Sequence, residues 1–207
     1  MFKPTLFTRS YAWPAVRFLQ TLSLSPHLAR YVKALIIGVE DPLELYYEDL
    51  SWTRADNALH QILPQLDNVE ELVLEGNTLG SCVNFRRKLG HDLRAGILER
   101  CSSERLVVIY LVHLKNVPLC LLSLAPRLES LALQSVSFAP ELDHHAIAGG
   151  PLSSHNNIKE RRPPARLKAV YVRSTTSKQW RTLYPWLEHV HLDLTHIKTL
   201  ELHIDFK

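Results

Sequence analysis

The side chains with the most chemical capacity lie near the end of the sequence: His189, His191, Asp193, His196, Glu201 and His203. Imidazole and carboxylate groups are the ligands that zinc and similar divalent ions prefer in proteins. His189 and His191 would project from the same face of a strand, because strand side chains alternate between two faces. A metal-dependent enzyme is therefore one hypothesis, and a solvated sheet surface that carries histidines without a metal is the other.

Other catalytic and cofactor motifs are missing from the sequence. It contains no GxSxG nucleophile elbow, no HExxH zinc motif, and neither GxGxxG nor GxxxxGK[ST] phosphate loops. The three cysteines, Cys82, Cys101 and Cys120, are evenly but widely spaced and form no CxxC or similar zinc-ligand pair. We expect reduced thiols in an intracellular protein, cytoplasmic or nuclear, with no catalytic residue, no cofactor and no metal.

The composition fits one soluble globular unit, since 46% of the 207 residues are hydrophobic and 22% are charged. A net charge of +3 is too weak to predict nucleic-acid binding. The stretch 106–126 has the length of a transmembrane helix, but Lys115 and Asn116 stand at its centre. A central lysine opposes membrane insertion by about 2.5 to 3.5 kcal/mol. We therefore predict no membrane span, and instead a strand at 107–112 followed by a short helix near 119–124.

The 37 leucines recur in the pattern LxxLxL, which is the strand half of a leucine-rich repeat. The intervals between successive copies are unequal, so the repeats are irregular, and the last interval is too short for a helix. Only Asn77 stands where a regular repeat places asparagine after the strand. The seven copies begin at Val32, Val69, Leu106, Leu128, Leu167, Leu187 and Ile197.

Proline-containing segments precede three of these strands, and proline ends a helix because it lacks an N–H group. A further helix is predicted to begin at Ser25-Pro26, with proline in the first turn. The predicted apolar helix faces are Leu59, Ile62, Leu63 and Leu66 after an N-cap at Asp56; Phe85, Leu89, Leu93 and Ile97; and Trp180 and Leu183 after a cap at Ser177.

The predicted fold is α/β: an irregular leucine-rich-repeat solenoid with a parallel sheet on the concave face, helices on the convex face, and incomplete ends. Residues 1–31 would form an N-terminal helical cap, and 32–138 the first block of repeats. Residues 139–166 lose the periodicity and are rich in glycine, proline and polar residues, which predicts a loop or disordered insertion. Residues 167–207 would form a second, truncated block of repeats.

Residues that alternate with the patterned leucines should point outward onto the concave face. This surface would be apolar in its middle and charged toward the C-terminal end. An exposed apolar patch of this kind indicates a partner, unless missing units or the insertion cover it. The candidate binding residues are Val73, Glu75, Val108, Tyr110, Val112, Gln134, Tyr171, Arg173, His189, His191 and Asp193.

Three phrases of the sequence resemble a known family: FLQTLSLSPHLARYVKALII from Phe18 to Ile37, LPQLDNVEELVLEGN, and LAPRLESLALQSVSF. They are similar to the leucine-rich-repeat region of F-box-like proteins of mushroom-forming fungi. The resemblance implies a non-catalytic module that recognises the protein target of a cullin-type ubiquitin ligase. The short segment before Phe18 holds no recognisable F-box, so contact with a ligase adaptor would need an F-box upstream. A remnant fragment without activity is the remaining alternative.

Overall fold

Six of the seven LxxLxL segments contribute neighbouring strands to one parallel sheet. The computed structural model of the chain describes residues 5–7, 12–39, 57–76, 82–139, 165–176 and 192–205. Strands β1, β2, β3, β5, β7, β9 and β11 make a seven-stranded sheet in that order, and all of its pairings are parallel. The strands are β1 (Thr5–Phe7), β2 (Ala34–Val39), β3 (Glu71–Gly76), β4 (Val83–Asn84), β5 (Val108–Val112), β6 (Leu114–Lys115), β7 (Ser130–Gln134), β8 (Ala165–Arg166), β9 (Ala169–Thr176), β10 (Leu192–Asp193) and β11 (Thr199–Asp205).

In the described residues, helices or 3-10 helices connect most successive strands of this sheet. The chain is therefore a mixed α/β protein, as the sequence predicts. The split of 106–126 into a strand and a short helix is confirmed by β5 and by a helix that begins at Cys120. The helices are α1 (Ala12–Leu24), α2 (residues 57–62), α3 (Phe85–Lys88), α4 (His91–Cys101) and α5 (Cys120–Ser123), with 3-10 helices at Pro26–Tyr31, Leu63–Gln65 and Leu194–His196.

A repeated backbone arrangement holds the strands in register where each strand begins. The carbonyl oxygen of Lys33 accepts hydrogen bonds from the N–H groups of Glu70 and Glu71, at 2.8 and 3.0 Å. A carbonyl oxygen that accepts two such hydrogen bonds recurs before every following strand of the sheet, so five consecutive strand pairs begin at equivalent positions. The other four acceptors are the carbonyls of Glu70, Val107, Glu129 and Lys168.

This register aligns the patterned apolar residues in one buried column. The column consists of Leu35, Leu72, Ile109, Leu131 and Val170, each paired with the next across the sheet. Their exposed fractions are between 0 and 3%. The prediction that these residues share one sheet and one core is therefore confirmed. Apolar residues of the helices complete the same core, including Leu59, Ile62, Leu63, Leu66, Leu93, Ile97, Leu121 and Leu122.

The chain leaves the strands through residues with unusual backbone geometry. His113 and Ser135 each follow a strand directly and have positive φ angles of 52°. Gly76 ends β3 at the corresponding place, and a Cβ atom there would overlap the carbonyl oxygen of His113. The next position, where regular repeats carry asparagine, is filled by buried Leu114 and Val136. Packing therefore takes the place of an asparagine at these two turns, and Asn77 lies outside the described residues.

The N-terminal region differs from the predicted helical cap at 1–31. Helix α1 and the 3-10 helix Pro26–Tyr31 are present, with Pro26 in the first turn, but the Ser25 side chain forms no cap hydrogen bond. Thr5–Phe7 is a strand that pairs with β2, so the sheet begins one strand earlier than predicted. A strand this short does not show the alternation that marks a strand in sequence.

The main sheet has no strand between β9 and β11, where a strand with Leu187, Val190 and Leu192 was predicted, because β9 pairs directly with β11. Leu187 and Val190 lie outside the described residues, and Leu192–Asp193 pairs with Ala165–Arg166 in a separate two-stranded sheet. A connection between parallel strands needs about a dozen residues or more. The short interval between the last two copies of the motif cannot supply it, so these copies contribute only one strand to the main sheet.

Two further differences concern helix continuity and the last strand. The apolar face formed by Phe85, Leu89, Leu93 and Ile97 is buried, but the helix is interrupted between Lys88 and His91, and Gly90 caps the second helix. Leu200 and Leu202 align with buried residues of β9, yet their exposed fractions are 55 and 41%. No element among the described residues packs over them, so the predicted core role of these two leucines is wrong in this structure.

Several predictions fall on residues that the structure does not describe. They include the caps at Asp56 and Ser177 and the helix with Trp180 and Leu183. Most of the predicted insertion at 139–166 lies outside the described residues as well. Its two ends belong to the folded part, because Ala139 is buried and Ala165–Arg166 forms β8.

Replacing Leu131 by alanine should lower the free energy of unfolding by about 2 to 5 kcal/mol, because it leaves a cavity in the buried column. Leu200→Ala is the matched control, since Leu200 lies at the exposed end of the same column, and its effect should be below about 1 kcal/mol. Urea denaturation of both variants measures the difference. Equal losses would show that Leu200 is covered as fully as Leu131.

Gly76→Ala should destabilise the protein by about 1 to 3 kcal/mol, because the new methyl group meets backbone at the His113 carbonyl. Gly96→Ala is the matched control. There the nearest atom is the side-chain tip Leu63 Cδ1 at 2.9 Å, which can move, and alanine favours the helix by about 1 kcal/mol. Thermal unfolding should therefore separate the two variants, and a Gly76 variant as stable as the wild type would contradict the close approach.

Candidate functional site

The sheet face opposite the helices, called the open face below, carries the outward side chains of six strands. The register places these side chains in three rows that cross the strands. The first row is Ala34, Glu71, Val108, Ser130, Ala169 and Thr199; the second is Ile36, Val73, Tyr110, Ala132, Tyr171 and Glu201; the third is Gly38, Glu75, Val112, Gln134, Arg173 and His203.

The part of the open face formed by β5, β7, β9 and β11 holds a concavity of about 610 Å³. Tyr110 and Tyr171 line it from β5 and β9, with the small Ala132 between them on β7. Neighbouring strands lie about 4.8 Å apart, so the two tyrosines are about 10 Å apart at the backbone. An alanine between two large side chains leaves space above the sheet. The volume is within the range of ligand sites, about 300 to 1,000 Å³.

Ionisable side chains line this concavity at one end and lie beyond it at the other. Arg173 on β9 and Glu201 and His203 on β11 line it, whereas Glu71 and Glu75 lie on β3, next to its first lining strand β5. The two strands between β3 and β9 have no ionic side chain on the open face. None of these five ionisable residues forms an ion pair or side-chain hydrogen bond within the described part of the chain. Their side chains are therefore open to an external group.

The structure gathers most of the candidates named from the sequence. Eight lie on the open face, and five of them line the concavity: Tyr110, Val112, Gln134, Tyr171 and Arg173. Val73, Glu75 and Val108 lie beside it. Asp193 is in β10 and outside the main sheet. The interval between its motif copy and the last one is too short to connect two parallel strands of that sheet. His189 and His191 lie outside the described residues.

The alternation predicts that Glu201 and His203 point outward on the concave face, but the candidate binding residues chosen from the sequence do not include them, although both line the concavity. Their strand was expected to lie one position farther along the sheet, behind a strand carrying His189 and His191. The signal that could have found them is the short interval between the last two motif copies, which does not allow a parallel crossover. With that strand removed, Glu201 becomes the neighbour of Tyr171 and His203 the neighbour of Arg173.

The cysteines offer little nucleophilic chemistry. All three are free, and Cys101 is fully buried. Burial raises the pKa of Cys101, and the nearby Cys120 raises it further. Burial also raises the pKa of Cys120, although backbone hydrogen bonds from Cys120 and Leu121 oppose the shift. Both thiols therefore stay protonated at neutral pH, whereas the thiolate is the reactive form.

A second, much smaller pocket lies on the helical side, between α3 and α4. It has a volume of about 40 Å³ and is lined partly by Arg86, His91 and Arg94. Arg94 Nη1 donates a hydrogen bond to the Arg86 carbonyl at 2.9 Å, and burial, followed by the charge of Arg86, lowers the pKa of Arg94. A single water needs about 10 to 15 Å³, so this pocket holds about three waters and no organic substrate.

The metal hypothesis gains no support from the described residues, which contain no group of three or more histidine, cysteine or acidic side chains able to share an ion. His196 lies in the 3-10 helix Leu194–His196 and His203 in β11. Since His189 and His191 are not described, the metal-dependent enzyme stays an alternative hypothesis from the sequence, beside the prediction of no metal.

Neither the described residues nor comparison with known proteins assigns a function to the chain. In the described ranges, no helix has both the length and the apolar character needed to cross a membrane. No protein-family model, curated protein or solved structure matches the chain. Its function therefore has to be inferred from its own residues and their geometry.

Proposed function

We propose that the chain is a non-catalytic protein-binding module and that it binds its partner with the open face. The observation that carries this proposal is the concavity between Tyr110 and Tyr171, with half-exposed Val112 in its lining and half-exposed Val108 beside it on β5. Removing such an apolar surface from water on binding is favourable. Tyrosine is also enriched at protein interfaces, because its ring is apolar and its hydroxyl group forms hydrogen bonds.

The arrangement suits recognition because the contact residues stand on regular strands. Buried apolar residues below the sheet fix the backbone of each strand, and neighbouring strands fix one another. A partner therefore meets side chains whose positions are set before binding, which lowers the entropic cost of association.

We also propose a leucine-rich-repeat architecture for the chain. Three features support it: six of the seven motif copies contribute successive strands, a helix or 3-10 helix connects most neighbouring strands, and the same double hydrogen bond recurs where each strand begins. The numbers of residues between successive strand starts are unequal. The connections therefore differ in length, while the strands keep the same geometry. The equivalent entry residues are Lys33, Glu70, Val107, Glu129, Lys168 and Lys198.

The biological role we propose is recognition of a protein destined for ubiquitin transfer by a cullin-type ligase. Its support is the resemblance of three sequence phrases to the repeat region of fungal F-box-like proteins, together with the binding face. The free thiols are consistent with an intracellular setting for this role.

Removing both tyrosine rings should weaken partner binding by about several hundredfold, because central aromatic residues of an interface each contribute on the order of 2 kcal/mol, or about 30-fold. The variant is Tyr110→Ala with Tyr171→Ala. Tyr31→Ala is the matched control, since Tyr31 is an exposed tyrosine away from the open face. A photo-crosslinking residue at position 130, on the open face, should capture a discrete partner in cells expressing the chain.

The same crosslinking residue at Glu99, exposed on helix α4, should not capture that partner. The adduct at position 130 should disappear in the double tyrosine variant and persist in the Tyr31 variant. An adduct that survives loss of both rings, in a variant with unchanged circular dichroism, would overturn binding by the open face.

The ligase role makes a separate prediction about the crosslinked partner. Its ubiquitin conjugates should decrease, and its half-life should increase, when the wild-type chain is replaced by the double tyrosine variant. Quantitative ubiquitin-remnant proteomics with a translation block measures both quantities. Unchanged conjugates on a partner that still binds the open face would refute the ligase role and leave the binding role intact.

A further inference from the structure

The charges of the open face are sorted along its third row. Glu75 lies on β3, and Arg173 lies three strands away on β9, with His203 next to it on β11. The two positions between them, Val112 and Gln134, are uncharged. The row therefore has an acidic end and a basic end, separated by an uncharged centre.

Ion pairs elsewhere on the sheet join opposite charges on adjacent strands, unlike the charges of the third row. Lys33 pairs with Glu70, and Lys168 pairs with Glu129 at 2.8 Å, both at positions where strands begin. At those positions the opposite charges stand on adjacent strands and neutralise each other. Glu75 and Arg173 stand three strands apart, beyond the reach of a direct ion pair, so their charges remain available.

The distance between Glu75 and Arg173 determines which conformation of a bound peptide could contact both residues. Three strand spacings of about 4.8 Å give about 14 Å. An extended peptide rises about 3.4 Å per residue, so residues i and i+4 span this distance and project from the same side of the peptide. An α-helix needs about nine residues for about 14 Å, and at 3.6 residues per turn positions i and i+9 point in opposite directions.

The residue in the middle of such a peptide meets the apolar centre. Position i+2 of the extended segment also faces the sheet and lies about 7 Å from Glu75, between β5 and β7. There it stands above Val112 and next to the space over Ala132, which Tyr110 and Tyr171 flank. An apolar side chain fits this position, because it buries the surface that the two tyrosines leave open.

We propose that the open face binds an extended protein segment that crosses the strands and carries opposite charges at positions i and i+4 with an apolar residue at i+2. The cationic residue lies at Glu75 and the acidic residue at Arg173 and His203. This inference rests on the proposed binding function and adds the chemistry of the partner. The charges alone allow either chain direction, since reversing the segment and its charge order restores the same contacts.

The test is selection of peptides from a displayed library of random dodecapeptides on the full chain, with the double tyrosine variant used for counter-selection. The expected result is enrichment of sequences with opposite charges at positions i and i+4 around an apolar residue. Enriched peptides that need both tyrosines but lack this charge pattern would overturn the inference and leave the binding function standing. If no enriched peptide depends on the tyrosines, both are overturned.

Charge-reversal variants of the chain test the inference independently, with one of the enriched peptides as the ligand. Glu75→Lys and Arg173→Glu should each weaken binding by about fivefold, as expected for one partly exposed ion pair. The double exchange should restore binding, because the peptide can then bind in the reverse direction. Glu99→Lys, the same charge change on helix α4, should have no effect. Unchanged affinity in both single variants, measured by fluorescence polarisation, would refute the proposed charge contacts.

Discussion

The fold depends on the register of its parallel strands, which the double hydrogen bond at each strand entry defines. Side chains alternate with a period of two, so a slip of one residue would send the buried column to solvent and the outer rows into the core. Each buried leucine or isoleucine stabilises the native register by about 1.5 to 3 kcal/mol. The ion pairs at the same entries contribute much less, because both partners of Lys33–Glu70 are about half exposed. Backbone hydrogen bonds and apolar burial, and not surface charge, therefore set the register.

The irregular spacing of the motif becomes understandable once the register is separated from the connections. Between β2 and β3 the connection ends in helix α2 and a 3-10 helix, and between β3 and β5 it holds α3 and α4. The shorter unit that leads from β5 to β7 has room only for the single turn of α5. All of these helices bury apolar side chains against the same column. The connections can thus vary in length as long as each packs apolar side chains against the sheet.

Much of the fold and of the candidate site could be predicted from the sequence, because strand alternation is a local pattern. The buried column followed from LxxLxL, and Arg173 and the two tyrosines were found because alternation determines which side of the sheet they occupy. What could not be predicted depends on distant contacts. Thr5–Phe7 is recognisable as a strand only through its pairing with β2. Glu201 and His203 were expected to face outward, but their position beside Tyr171 and Arg173 could not be predicted, because it depends on which strand neighbours β9, and alternation does not determine this topology.

The separation of the two sheet faces also explains how such a protein can acquire specificity. The helix side carries the buried core, so its residues are constrained by packing. On the open face, Glu75, Val112 and Arg173 come from segments far apart in the sequence and meet only because the register aligns them. A change in a connecting helix leaves this row in place, whereas one substitution in the row alters the surface that a partner meets. The outward side chains of several strands therefore determine which partner binds, whereas the buried side chains on the helix side determine stability.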